Sequence, residues 1–323
     1  MPTWLAVLQL FGGVVYLVMG ADFLVRGAIA LSRKVGVPAM VVGLTVVALG
    51  TSAPELVVSL RATLTGYPEL AIGNVVGSNV ANVLLVVALP ALVYPMACDQ
   101  RGVANDALFA LATSVLFFAL CWSGTLGRGD GLILLLGLVL FLGYLARATR
   151  GDATTKGAGR LEVPRILGLP SRPYMIALLI VFGVLALPLG AQLLLDGAVG
   201  VADTFGVPNA VIGLTLVAVG TSLPELATTL VAALRREADV AVGNVLGSNI
   251  LNILAIMGVT ALASPTPLPV PPRFLATDLP VMVAAALALA LVVMTRPAVG
   301  RGVGVLFTLA YIAYVFALFR GSG

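Results

Sequence analysis

Two stretches of this chain, GLTVVALGTSAPEL at Gly43–Leu56 and GLTLVAVGTSLPEL at Gly213–Leu226, are almost the same sequence 170 residues apart. A second pair keeps the offset, because AIGNVVGSNVANVL at Ala71–Leu84 returns as AVGNVLGSNILNIL at Ala241–Leu254. The chain is an internal duplication. Each copy sets one glutamate, Glu55 or Glu225, inside an apolar run, where an ionised carboxylate costs at least ~2.5 kcal/mol on insertion scales. Two equivalent acids placed at that cost predict a cation site.

Sixty per cent of the residues are apolar, 10% are charged and the mean hydropathy is +1.11, against roughly 25% charge in a soluble domain. The composition is that of an integral membrane protein. Successive apolar runs of about 20 residues each match a hydrocarbon core ~30 Å thick, without the short alternating strands of a barrel. The expected fold is all-α with ten transmembrane helices, near 4–31, 38–64, 70–93, 104–123, 130–147, 173–200, 208–234, 240–262, 275–295 and 300–319. Five precede the polar segment 149–172 and five follow it. An odd number reverses the second copy in the membrane, so 1–148 and 173–323 are expected to be inverted five-helix repeats joined by a cytoplasmic linker. That plan places a substrate site near the midplane where the repeats meet.

The net charge of +4 does not point to nucleic acid, since the basic residues are scattered between apolar spans and form no aromatic-interleaved patch. They report topology. Arg147, Arg150, Lys156, Arg160, Arg165 and Arg172 crowd the central segment and place it in the cytoplasm by the positive-inside rule. Alternating the spans from there puts thirteen Lys and Arg inside and four outside, with Arg26 uncounted within a span. Both termini then face the external side of a cytoplasmic (inner) membrane, and the start MPTWLAVLQLF lacks the basic region of a cleavable signal. Cys98 and Cys121 fall near opposite faces and are not expected to pair. The chain has no histidine, which excludes imidazole relays and histidine-held transition metals. Nothing supplies a nucleotide loop, an activated nucleophile or a cofactor motif, so an enzyme is not expected.

In GTSAPE, Pro54 lacks an N–H and is expected to free the carbonyl of Gly50 within a helix, as Pro224 would free that of Gly220. Such backbone is tolerated at membrane depth where it lines a cavity. Thr51 and Ser52 precede Glu55 by four and three residues, a spacing expected to align them on one helix face, and Thr221, Ser222 and Glu225 repeat it. In GNVVGSNVAN, Gly73 and Gly77 form a close-packing GxxxG step, as do Gly243 and Gly247. Ser78 with Asn82, and Ser248 with Asn252, point one hydroxyl and one amide the same way. Asn74, Asn79, Asn244 and Asn249 fit ligation or interhelical hydrogen bonding equally. Asp22 and Asp196 read as ion-pair or helix-end residues, and Asp106 and Asp278 as caps. The donors are all oxygen, which suits a hard cation. An all-protein cage fits Ca2+ better than Mg2+, and the same oxygens accept Na+ or protons.

These motifs resemble the sodium/calcium exchanger branch of the calcium/cation antiporter superfamily, whose two repeats carry GTSxPE and GNxxGSNxxN or GNxxGSNxxD. The resemblance covers nearly the whole chain and is similar to prokaryotic members without large sensing domains. It implies alternating-access antiport of Na+ for Ca2+, with no cofactor beyond the transported ions and with helices one and six sliding across the core. It makes Glu55 and Glu225 the central ligands, assisted by Thr51, Ser52, Ser78, Thr221, Ser222 and Ser248, and adds the carbonyls of Ala48 and Ala218. Asn252 departs from the aspartate often found there, which leaves ion stoichiometry open. A Ca2+/H+ antiporter is the alternative, although that branch usually carries glutamate in GNxxE, where this chain reads GNVVG and GNVLG. A passive cation channel is the alternative of another class. One internal site needs only a monomer in the lipid bilayer.

Overall fold

The computed structural model describes residues 2–100, 102–152, 172–204 and 220–320. In chain order its helices are α1 (Thr3–Val35), α2 (Ala39–Thr51), α3 (Ala53–Leu64), α4 (Pro68–Val93), α5 (Val103–Cys121), α6 (Arg128–Asp152), α7 (Pro173–Thr204), α8 (Leu223–Leu234), α9 (Ala238–Ala263), α10 (Phe274–Thr295) and α11 (Arg301–Arg320). Helices are the expected response to lipid, where each backbone N–H and C=O must find its partner within the chain. Eight of these helices are long and apolar enough to cross a membrane, and α2 with α3, bent by 45°, makes a ninth. The expected span at 208–234 is seen only as the shorter α8, because residues 205–219 lie outside the described residues. So do Arg101 and most of the expected linker. Before the linker, α6 continues to Asp152, past the boundary expected at 148.

Burial sorts the helices into layers. In α4 and α9 the apolar windows are 78% and 83% buried, whereas that of α11 is 17% buried. The motif-bearing helices are therefore the core, and α1, α6, α7 and α11 form the outer layer. Two short antiparallel pairs tie the halves of the chain together: β1 (Met96–Ala97) with β4 (Ala298–Val299), and β2 (Thr125–Leu126) with β3 (Leu268–Pro269). Cys98 and Cys121 are both buried and unbridged.

The most extensive helix pair among the described residues is α1 with α7. Its seam carries Gly13, Gly20 and Gly27 on α1 and Gly183, Gly190 and Gly197 on α7, at seven-residue spacing and at the same 170-residue offset as the motifs. A β-carbon added at Gly190 would lie 2.7 Å from the backbone nitrogen of Leu17, and one at Gly197 2.6 Å from the carbonyl of Ala6. Backbone meets backbone, which only glycine permits. Asp22 of α1 pairs with Arg26 one turn on at 3.6 Å and with Arg235 beyond α8, so the outer pair is also held to the core by charge. Asp196 accepts a hydrogen bond from Gln192.

Candidate cation site

The break between α2 and α3 sets the site. Ser52 has φ −86° and ψ 4°, and Ser222, which precedes α8, has φ −89° and ψ 4°. Both lie in the sparsely used bridge region. Pro54 and Pro224 consequently stand in the first turn of a new helix, where a missing N–H costs nothing. The proline expected within a helix thus opens a second helix after a break. Glu55 and Glu225 then fall in first turns, where the dipole of the helix favours a carboxylate.

The break also redirects the hydroxyls. Ser52 and Glu55 have the spacing of a capping box, yet no side chain caps α3. Instead Ser52 Oγ donates to Glu225 Oε1 of the other repeat, 3.1 Å away. Thr51 Oγ1 reaches Asn244 Oδ1 at 3.1 Å and Ser248 Oγ at 3.4 Å. Ser78 and Thr221 place their hydroxyls 3.5 Å apart. The hydroxyls of Thr51 and Ser52, expected on one face with Glu55, thus find their partners in the other repeat. Ala48 is buried, but its carbonyl already accepts the Ser52 N–H at 2.9 Å and the Thr51 hydroxyl at 3.3 Å. Ala218 lies outside the described residues.

The asparagines divide by role. Asn74 Nδ2 donates to the carbonyl of Glu55 and to Ser59, and Asn244 Nδ2 donates to the carbonyl of Glu225 and to Thr229. Each pins its core helix beside the glutamate. Asn79 Nδ2 donates to the backbone carbonyl of Asn249 at 3.2 Å, which leaves its Oδ1 to accept Asn252 Nδ2 at 3.1 Å. Asn82 Nδ2 donates to Asn249 Oδ1 at 3.1 Å. Asn82 and Asn252 each begin a π-helical stretch, Asn82–Val86 and Asn252–Met257, a wider turn frequent at functional sites. Sequence reasoning missed Ser59 and Thr229, although the 170-residue offset relates them and both are polar in apolar runs.

What remains unpaired is the chemical signature. Both carboxylate oxygens of Glu55, Oε2 of Glu225, Oδ1 of Asn82 and Oδ1 of Asn252 are buried with no hydrogen-bond partner in the protein, as is Ser222 Oγ. These six are half of the twelve such atoms among the described residues. Each can act as an acceptor, and burying an acceptor unpaired costs about 1–3 kcal/mol or more. Glu55 and Glu225 are 0% exposed and within each other's electrostatic reach. A hard cation satisfies both requirements, because it supplies charge to two carboxylates and accepts oxygen ligands without needing a hydrogen. Among the described residues no group of three His, Cys, Asp or Glu side chains is placed to hold a metal, so such a cation would rest on amide and hydroxyl oxygens beside the two acids. Gly243 and Gly247 make that assembly possible: α2 lies against α9 so closely that a β-carbon at Gly243 would sit 2.7 Å from the carbonyl of Met40.

Comparison with known proteins follows the same lines. The family model for sodium/calcium exchanger proteins matches residues 5–147 and 175–320. The chain is 37% identical over 322 residues to the inner membrane protein YrbG of Escherichia coli, covering 98% of this chain and 97% of that one. It is 34% identical over 339 residues to the sodium/calcium exchanger MaX1 of Methanosarcina acetivorans, covering 95% and 96%. The solved sodium/calcium exchanger of Methanococcus jannaschii superposes with a TM-score of 0.81 at 29% identity, over 97% of this chain and 98% of that one.

Proposed function

This chain belongs to the sodium/calcium exchanger family, and from that membership we propose that it is a secondary active antiporter that lets Na+ enter as Ca2+ leaves. The observation that carries the reading is the set of unpartnered acceptor oxygens, with Glu55 from one repeat and Glu225 from the other at its centre. Glu55, Glu225, Ser222, Asn82 and Asn252 present oxygens directly in this reading. Thr51, Ser52, Ser78, Thr221 and Ser248 form the hydroxyl wall, and the carbonyls of Ala48 and Ala218 join when α2 and its repeat-equivalent adjust. Competition of Na+ and Ca2+ for one set of oxygens couples the two fluxes if only an occupied site can switch sides. Alternating access is assigned to α1 and α7, whose glycine seam favours movement as one body.

The architecture that goes with this function is ten spans in two inverted repeats, 1–148 and 173–323, around a cytoplasmic linker at 149–172. Both termini face the external side of the cytoplasmic membrane, and the monomer is the working unit.

The test is uptake of radioactive calcium by proteoliposomes loaded with Na+ and diluted into Na+-free medium, compared with vesicles carrying only a pH gradient. Uptake driven by the Na+ gradient is expected. Uptake driven by the proton gradient alone would make this a Ca2+/H+ antiporter, and flux independent of either gradient would make it a channel. Asn252→Asp adds a third ionisable group and removes the donor to Asn79, so it is expected to change the charge moved per Ca2+ and the dependence on Na+. If both stay as in the parent protein, this position does not set coupling.

A further inference from the structure

The helices α10 and α11 are consecutive, yet they barely touch. Between them runs an apolar groove of about 650 Å³, floored by Leu84 and walled by alanines that include Ala284, Ala288 and Ala313. In the first half of the chain the matching interface is filled: Phe109 of α5 packs on Phe141 of α6 with ring centroids 4.9 Å apart, and stacks on Tyr144 at 6.2 Å. Val281 occupies the position of Phe109 when the offset of 172 that relates Asp106 to Asp278 is applied. Valine is the smaller side chain and leaves room at that position. Its outer wall faces the surroundings, since Leu306 is 63% exposed and α11 is the least buried span.

At the mouth stands Arg273. Thr277 is already committed to the Arg273 carbonyl, and the Tyr314 hydroxyl to Asp278, with which Asp278 acts as an interhelical acceptor instead of the expected cap. Arg273 donates from Nη2 to the Leu318 carbonyl and lies 4.0 Å from Asp278, with 44% of its side chain exposed. A guanidinium carries five N–H donors, more than these contacts use. Behind it a second cavity of about 630 Å³, also lined by Arg273 and Tyr314, extends to Ser78 and Thr221. Arg273 thus stands where an apolar groove meets a cavity that carries more polar groups, Asn74, Ser78 and Thr221 among them, a place that suits the head of an amphiphile.

We infer that the groove between α10 and α11 holds an acyl chain of a membrane phospholipid whose phosphate is bound by Arg273. The chain of a bilayer lipid matches a long apolar channel open to hydrocarbon, and a phosphate matches a guanidinium fork. The inference rests on the protein lying in a membrane and not on which ions it exchanges. Its test is native mass spectrometry of the delipidated protein in detergent, titrated with phosphatidylglycerol and, separately, with inorganic phosphate. The parent protein is expected to retain phosphatidylglycerol at concentrations about ten-fold below those needed by Arg273→Gln, the loss of one charge-assisted contact. Ala313→Phe and Ala288→Phe, which refill the groove, are expected to lose the adduct while remaining monodisperse. Equal retention by both groove variants would overturn the inference. So would binding of inorganic phosphate as tight as that of the lipid, or a parent dimer that the groove variants convert to monomer, since the occupant would then be a second copy of the chain.

Discussion

Glu55→Gln and Glu225→Gln each abolish Na+-driven Ca2+ uptake and leave a folded, monodisperse protein. The amide keeps the shape of the carboxyl and can still accept the Ser52 hydroxyl at position 225, so the contacts that hold α3 and α8 survive. What goes is one of two carboxylates that lie within electrostatic reach of each other in a fully buried place. Removing one partner of a buried charge contact costs about 3 kcal/mol, or ~100-fold in cation affinity. Uptake about one hundredth of the parent rate, at a Ca2+ concentration well below the parent's half-saturation, is the expected reading. Normal transport by either variant would sink the proposed site.

Gly247→Val destabilises the protein by at least about 3 kcal/mol, the upper range of overpacking costs. A β-carbon at Gly247 would meet the carbonyl oxygen of Leu44 at 2.5 Å, the α-carbon of Leu44 at 2.7 Å and the β-carbon of Ala48 at 2.8 Å. Two of these atoms are backbone, so no side-chain rotation relieves the clash and α2 must move off α9. That displacement also pulls Thr51 away from Ser248, and transport is expected to fall with stability. Gly143→Val is the control, because a β-carbon there has nothing within 4 Å, and surface changes of this kind stay within about 0.5 kcal/mol. Thermal unfolding of both variants in detergent decides the matter: equal midpoints would show that the glycine contact between α2 and α9 is not tight.

Several features were legible along the chain because they repeat. The 170-residue offset picks out both glutamates, both GxxxG steps and the polar pairs Ser59 with Thr229 and Asn74 with Asn244. It also relates Gly13, Gly20 and Gly27 to Gly183, Gly190 and Gly197, a seam that composition displays but spacing within one helix does not explain until the two helices are seen together. The partners of Thr51 and Ser52 could not be read from their spacing to Glu55, for a local reason. The chain leaves the helix at Ser52, and past that point the three-and-four spacing no longer predicts neighbours.

The sequence alone determined that this is a duplicated membrane protein with one glutamate in each GTSxPE motif, because hydropathy and repetition are properties of the string and the cost of a buried charge does not depend on the fold. The tertiary structure decided which oxygens meet. Ser52 serves Glu225 and not Glu55, Asn82 and Asn252 turn their amide nitrogens to the opposite repeat and leave their oxygens unpaired, and Ala48 offers a carbonyl that is already occupied. Those pairings follow from the helix break at Ser52, from the matching backbone turn at Ser222 and from glycines that bring core helices into backbone contact, and such distances between residues nearly two hundred positions apart are set only when the two copies pack against each other.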